Sequence, residues 1–423
     1  MISEFQTPPI ALRDLTTLRV GGVPAAMVTP KTEQELVAAA LEVWAEGDEW
    51  MLLGGGSNTV AADEGFDGTV IRILTRGIEV IPVSEYSGSV LGGTADIAHG
   101  EAAGAVGAEA SGGLGGALGG DGAGDGARVR LRVQAGESWD ELVAFTAAQG
   151  WAGIEALSGI PGSVGAAPVQ NIGAYGQEIA SCLVAVDFLD FDSGDVRRIG
   201  AADLKLDYRT SAFKQGLIGI VLAVELELHD THAEAAVLGS ALGRPVAYAQ
   251  LAGALGVQQG DRVALDVVRS TVLALRASKG MVLDANDPDT ASAGSFFTNP
   301  IVTENFARQL PDDAPRWSQQ SVLADRVIPL EEYAGVGPVP CVEEVRLTKL
   351  SAAWLIEQAG IAKGFRLPGS RAAISSKHTL ALTNTGGATA DEIAQLARFV
   401  QGRVAAEFGV ILQPEPVLIG VSL

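Results

Sequence analysis

The stretch from Gly150 to Glu178, GWAGIEALSGIPGSVGAAPVQNIGAYGQE, constrains the fold of this chain more than any other. Between Ala156 and Gln177 it has no charged side chain, yet Gly159, Gly162, Gly165, Gly173 and Gly176 interrupt any helix or long strand. Glycine inside a regular element costs roughly 1 kcal/mol per site, so the glycines here serve another purpose. Backbone without Cβ atoms can lie against a flat or phosphorylated ligand and aim its N–H groups at it. Ser158, Ser163, Gln170, Asn171 and Tyr175 offer hydrogen bonding rather than ionic chemistry. A tightly packed loop beside a sheet would satisfy the same pattern, so on this stretch alone both readings stand.

A chain of 423 residues, 47% of them hydrophobic, is expected to form two or three folded domains. Its net charge of −22 argues against nucleic acid or an anionic membrane as partner. An anionic small molecule would need a local gathering of Lys and Arg. Cys182 and Cys341 belong to no CxxC pattern and the histidines are scattered, which argues against a disulfide framework or a metal site. No charged-then-apolar leader opens the chain, and no apolar run of about 18 residues could span a membrane. A cytoplasmic protein without membrane insertion is the expectation.

Capping boxes punctuate the sequence. Thr32 with Glu35 opens a helix stopped by Gly47, Ser138 with Glu141 opens one stopped by Gly150, and Thr389 with Glu392 opens one stopped by Gly409. Further helices are expected near 265–278 and 351–358, and strands at 50–53, 69–74, 78–83, 129–134, 183–191, 218–228 and 379–383. The strand at 50–53 runs into Gly54-Gly55-Gly56-Ser57-Asn58. A strand feeding a glycine run suits a phosphate-binding turn. Its spacing is neither GxGxxG nor GxxxxGK[ST], which disfavours the usual βαβ dinucleotide mode.

Residues 84–127 hold many Gly and Ala, six acidic side chains and no Lys or Arg. That composition reads as a disordered acidic insertion between strands. A loop rich in Asp, Asn and Pro at 284–289 marks a domain boundary. Arg209 and Lys214 are positive charges beside an apolar strand, suited either to anion binding or to surface ion pairs. Glu415, set among apolar and proline neighbours, is costly to bury ionised, which would raise its pKa.

Six of these segments, LGGGSN, IPGSVGAAPVQNIGAYGQE, YRTSAFK, AGSFFTNP, KLSAAWLIEQAG and FGVILQPEP, occur here in order. In motif and order the chain resembles the UDP-N-acetylenolpyruvoylglucosamine reductases over nearly its whole length. The resemblance implies an α+β fold, with a two-subdomain FAD-binding unit of the vanillyl-alcohol oxidase superfamily followed by a C-terminal α+β substrate domain. It places the subdomains at 1–75 and 76–285 and the substrate domain at 286–423. The implied activity is NADPH-dependent reduction of UDP-N-acetylglucosamine enolpyruvate to UDP-N-acetylmuramate for peptidoglycan. FAD is non-covalent, NADPH is the hydride-donating co-substrate, and a monomer is expected.

By the same resemblance the flavin-binding residues are Gly54, Gly55, Gly56, Ser57 and Asn58, then Ser158, Ile160, Pro161, Gly162, Gly165, Asn171, Gly173, Ala174 and Tyr175. Arg209 matches the catalytic arginine, Glu415 the catalytic glutamate and Ser295 the proton donor. Tyr208, Lys214, Lys279, Asn299 and Lys349 match substrate-binding positions. Tyr248 matches the covering tyrosine of the subclass with an extra loop. Many members carry lysine where this chain has Thr298.

Two other classes remain open. An oxidase of the same superfamily often attaches its flavin covalently, but His99, His229, His232, His378, Cys182 and Cys341 all lie outside both glycine stretches. A non-catalytic nucleotide-sugar module would have no use for Ser295, Arg209 and Glu415 together. The visible spectrum after acid precipitation separates these cases.

Overall fold

The structure is a computed structural model that describes residues 5–82, 127–319 and 346–423. The expected acidic insertion at 84–127 lies outside the described residues except for Ala127, as does Cys341. The first unit is a three-stranded parallel sheet in which Phe66–Arg72 runs between Pro24–Val28 and Trp50–Leu53. Helix Glu33–Glu46 covers it through Leu36, Ala39, Ala40 and Val43. Its capping box forms in full, with Thr32 and Glu35 exchanging bonds, and Gly47 ends it at φ 76°.

The second unit is a six-stranded sheet. Its antiparallel path runs Val196–Gly200, Leu183–Asp190, Gly219–Asp230, Arg128–Gln134 and Ile78–Ile81, with Trp151–Ala152 pairing onto the end of Gly219–Asp230. Strict alternation decides its faces. Val129, Leu131 and Val133 point into the core, while Arg128, Arg130, Arg132 and Gln134 point outward. The outward arginines are held by acids, Arg132 by both Glu33 and Asp187 at 2.7 Å, which ties this sheet to the first helix. Helix Trp139–Ala148 follows, but its box is only half formed. Ser138 accepts the N–H of Glu141, while the Glu141 carboxylate lies 4.0 Å from Arg76.

The third unit joins sheet Ile301–Thr303, Leu347–Leu350, Arg316–Gln319 to helices Ala352–Gln358 and Ala390–Phe408. The long helix buries Ile393, Leu396, Ala397, Val400 and Val404, and Gly409 stops it at φ 68°. The strand expected at 379–383 is shorter and later, Leu382–Asn384. Ser375 Oγ accepts the N–H groups of Lys377 and His378, so a turn occupies the position where a strand was expected.

The chain's two ends meet. Val417–Ile419 pairs in parallel with Thr59–Ala61, and Asn384 donates to the carbonyls of Leu18 and Arg19. Leu18, Val20 and Val60 join the apolar cluster of Phe296, Leu355, Leu382 and Leu396. These contacts bring the C-terminal segment against the first glycine turn. Among the described residues, no helix is long and apolar enough to cross a membrane.

Candidate active site

Two glycine stretches pack backbone to backbone. A Cβ on Gly55 would lie 2.6 Å from Gly162 Cα, a separation that no side chain tolerates. Gly162 has φ 126°, outside the reach of ordinary residues, and Ser57 Oγ donates to the Pro161 carbonyl at 2.9 Å. Among the described residues, the N–H groups of Gly55, Gly56 and Ser57 find no acceptor. Successive unpaired N–H groups on a glycine turn form an anion-binding concavity. Arg276 packs against Gly159 on the other side, and its buried Nε also lacks a partner among the described residues.

The other predicted flavin-binding residues divide by what their polar groups do. Ser158 donates to the Glu155 carbonyl, and Asn171, at φ 45°, ties together Glu178, Asp207 and Ala180. Those side chains shape the loop. Gly165 meets Ala135 closely enough that its lack of a side chain serves packing. Ile160 is partly buried against the core of the six-stranded sheet. Gly173 and Ala174 form a small hairpin with Gln177 and Glu178, and the Gly173 carbonyl accepts from Arg209 at 3.3 Å.

The three predicted catalytic residues come together from distant parts of the chain. The N–H of Glu415 donates to Phe296, next to Ser295, at 2.9 Å, and its carboxylate lies 3.3 Å from Arg209 Nε. Asn58 of the first glycine turn donates to the Glu415 carbonyl at 3.3 Å and to Gln170 at 3.4 Å. Burial pushes the Glu415 carboxyl above the usual carboxylate range, opposed by Arg209 and Lys214. Arg209 itself sits at φ 54°, a conformation rarely used by a branched-free cation outside a tight turn.

A cleft of about 650 Å³ opens beside this pair, lined by Tyr208, Arg209, Lys214, Thr298, Asn299 and apolar residues including Ile301 and Phe306. Lys349 lies 4.8 Å above the Tyr208 ring, and burial lowers its pKa, with Glu178 opposing. Asn299 Oδ1 accepts the N–H of Ala352 at the start of helix Ala352–Gln358. On the other flank, Tyr175 meets Tyr248 edge to face at 5.9 Å. Lys279 lies 5.5 Å over the Tyr175 ring and donates to Gln250 at 2.9 Å. Tyr248 is 46% exposed.

Sequence reasoning missed His378, whose Nε2 stands 3.5 Å from Ser295 Oγ. It belongs to no motif, so nothing in the sequence marked it. Burial pushes its imidazole down to about 4, aided by the cations Lys279, Lys363 and Arg276 against Glu357. Arg276 was also missed, although it sits three residues before Lys279 and so shares its helix face. Among the described residues, no group of three or more His, Cys, Asp or Glu could hold a metal. Cys182 is buried and its thiol pushed up to about 12, which makes it inert.

Residues 125–200 match the family described as FAD binding domain, and residues 287–419 match UDP-N-acetylenolpyruvoylglucosamine reductase, C-terminal domain. UDP-N-acetylenolpyruvoylglucosamine reductase of Leifsonia xyli subsp. xyli is 56% identical over 420 residues, 99% of this chain and 100% of that one. The protein of the same name from Thermobifida fusca is 42% identical, covering 98% of each chain. The crystal structure of UDP-N-acetylenolpyruvylglucosamine reductase from Thermus caldophilus shares the fold at a TM-score of 0.55. It is 23% identical and covers 98% of this chain and 100% of that one. With more than half of its residues shared with such a relative end to end, the chain belongs to the UDP-N-acetylenolpyruvoylglucosamine reductase family of FAD-dependent oxidoreductases.

Proposed function

We propose that Arg209, Glu415 and Ser295 carry the reduction of UDP-N-acetylglucosamine enolpyruvate to UDP-N-acetylmuramate in this chain. The overall reaction is that of its family, an NADPH-dependent step of peptidoglycan precursor synthesis. FAD, held without a covalent bond, supplies hydride chemistry between NADPH and the enolpyruvyl vinyl group. The unpaired N–H row at Gly55–Ser57 and the backbone at Ile160–Gly162 are the residues that would hold it. Residues 1–75 and 76–285 are its two binding subdomains in this reading, with 286–423 the substrate domain, and the protein works as a monomer.

Reduction places negative charge on the carbon beside the substrate carboxylate. Arg209 faces that charge, and a guanidinium positioned in advance stabilises it without reorganising. Glu415 fixes Arg209 through their contact at 3.3 Å. Ser295 gives its hydroxyl proton to the carbanionic carbon, a task for which serine depends on positioning. Tyr208, Lys214, Asn299 and Lys349 bind the substrate on one flank, with Lys279 and the covering Tyr248 on the other. Where relatives carry lysine, Thr298 donates to the Gln413 carbonyl, so cationic help comes from Lys214 beside it.

The observation that best supports this reading is the antiparallel pairing of Phe297 with Pro414, whose backbone bonds set Glu415 beside the Ser295–Phe296 segment. Ser295→Ala tests it. Bleaching of the flavin by NADPH should proceed at nearly the normal rate, because no proton goes to substrate in that half. Reoxidation by UDP-N-acetylglucosamine enolpyruvate should slow at least about 100-fold, and Ser295→Cys should recover part of the loss. Equal slowing of both halves would instead mean disturbed packing at Phe296 and Phe297, and unchanged reoxidation would remove Ser295 from the mechanism.

A further inference from the structure

The proton donor has a neighbour that the family reaction does not by itself require. His378 is fixed by its own turn. Ser375, fully buried, accepts its N–H at 3.2 Å, and its carbonyl accepts the N–H of Ala381 at 3.1 Å. The next residues lock onto the Ser295 segment, since Phe296 donates to the Leu380 carbonyl at 2.7 Å. Turn and segment together bring Nε2 to 3.5 Å from Ser295 Oγ. That is the long end of a hydrogen bond, in the range that catalytic pairs close when substrate engages.

A serine that gives up its proton is left as an alkoxide, and an alkoxide in a half-buried pocket needs a donor. The candidates are few. Lys279, Lys363 and Arg276 surround the imidazole with positive charge, opposed by Glu357. Burial, together with those cations, keeps the ring neutral, so it carries one N–H and one bare nitrogen. Tyr175 and Gln250 already occupy Lys279.

We propose that His378 is a positioning residue for proton delivery: its Nε2–H holds the Ser295 oxygen and stabilises the alkoxide left when the hydroxyl protonates the substrate. This rests on the reading of Ser295 as proton donor. The Oγ–H bond breaks as a C–H bond forms at the carbon beside the carboxylate. The electron pair stays on Oγ, the imidazole keeps its own proton, and water restores the hydroxyl.

The test uses the FAD-loaded enzyme with NADPH and UDP-N-acetylglucosamine enolpyruvate, following flavin colour in each half-reaction. For His378→Leu, reoxidation should slow about 10- to 100-fold, the effect of losing a hydrogen bond to developing charge. Reduction by NADPH should be unchanged, and substrate affinity, read from flavin spectral shifts, should stay within about twofold. His378→Gln, whose amide N–H can reach the same oxygen, should recover most of the loss. The double variant Ser295→Ala/His378→Leu should be no slower than Ser295→Ala alone, because the imidazole acts only through the serine.

Equal slowing of both half-reactions by Leu and Gln would overturn the proposal in favour of plain packing. Multiplying losses in the double variant would mean that His378 acts elsewhere. So would a pH-rate limb between about 6 and 9 that vanishes in His378→Leu, because a ring held neutral does not titrate there. If Ser295→Ala slows reoxidation while His378→Leu does not, this inference alone falls. If Ser295→Ala is harmless, the serine reading falls with it.

Discussion

The site contains two pairs built on opposite principles. Arg209 and Glu415 form a charged pair, in which burial works against the carboxylate and two cations work for it. Ser295 and His378 form a neutral pair, in which burial and cations both keep the ring uncharged. The two lie on either side of one backbone bond, Glu415 N–H to the Phe296 carbonyl. The reaction explains why they differ. In the proposed mechanism the charged pair faces the substrate carboxylate as it becomes more negative, and the neutral pair faces the carbon that takes a proton.

Even a charge-keeping substitution in the charged pair should cost as much as loss of the serine hydroxyl. Arg209→Lys keeps the charge but loses the planar fork and the second contact to the Gly173 carbonyl. Turnover should fall by at least about 100-fold, while substrate affinity weakens by only a few-fold, since the lost interaction is made chiefly in the transition state. Steady-state kcat and KM, with FAD content checked by absorbance, decide it. Near-normal turnover in the lysine variant would show that this pair is merely an ion pair.

The two pairs also differ in how readable they were in the sequence. Arg209, Ser295 and Glu415 stand in long motifs, and those motifs carried them. His378 is placed by a turn that local side-chain bonding selects over the apolar stretch after it. Ser375 capturing two N–H groups outweighed the strand propensity of Thr379 to Thr383. Helix ends were legible wherever a cap was purely local. Thr32 with Glu35 and Thr389 with Glu392 close both bonds, and Gly47 and Gly409 take positive φ as expected. Ser138 with Glu141 closed only one, because Glu141 lies instead near Arg76, 65 positions away in the chain. The pairing of Val417–Ile419 with Thr59–Ala61 was illegible for the same reason, since no local rule reports a contact across the whole chain. That pairing is what brings Glu415 to the flavin turn.

Stability against pH should separate the pairs with opposite signs. The folded-state pKa of Glu415 lies above its ordinary 4.5, so in the window above 4.5 the folded state holds the extra proton. Its contribution is therefore present at low pH and lost as pH rises through the raised value. His378 falls from 6.5 to about 4, so between those values the unfolded chain holds the extra proton. Its contribution is present above 6.5 and lost as pH falls towards about 4. At pH 5.5 the histidine should cost about 1 kcal/mol relative to pH 7.5. Urea midpoints at fixed excess FAD should show His378→Leu flattening the acid limb and Glu415→Gln removing a slope of opposite sign. Parallel curves for all three proteins would refute both shifts.

The smallest effect should come from Lys214, and it sharpens the comparison most directly. Lys214 is exposed at the mouth of the cleft, and with Arg209 it lowers the cost of an ionised Glu415. An exposed charge contributes at most about 1 kcal/mol, so Lys214→Met should cut turnover by no more than about fivefold. The direction on pH is the stronger statement. Without that cation the Glu415 carboxyl moves further up, so any rate limb it governs should shift to higher pH. Nothing in the neutral pair responds to Lys214, because the cations around His378 are Lys279, Lys363 and Arg276. The slowed proton step of Ser295→Ala should therefore be equally slow in the double variant once the fivefold is divided out. High salt should mimic the Lys214 change in the native enzyme, since an exposed charge is screened over about 10 Å at 0.1 M. An unmoved limb, or a salt effect that survives Lys214→Met undiminished, would show that Glu415 is governed by Arg209 alone.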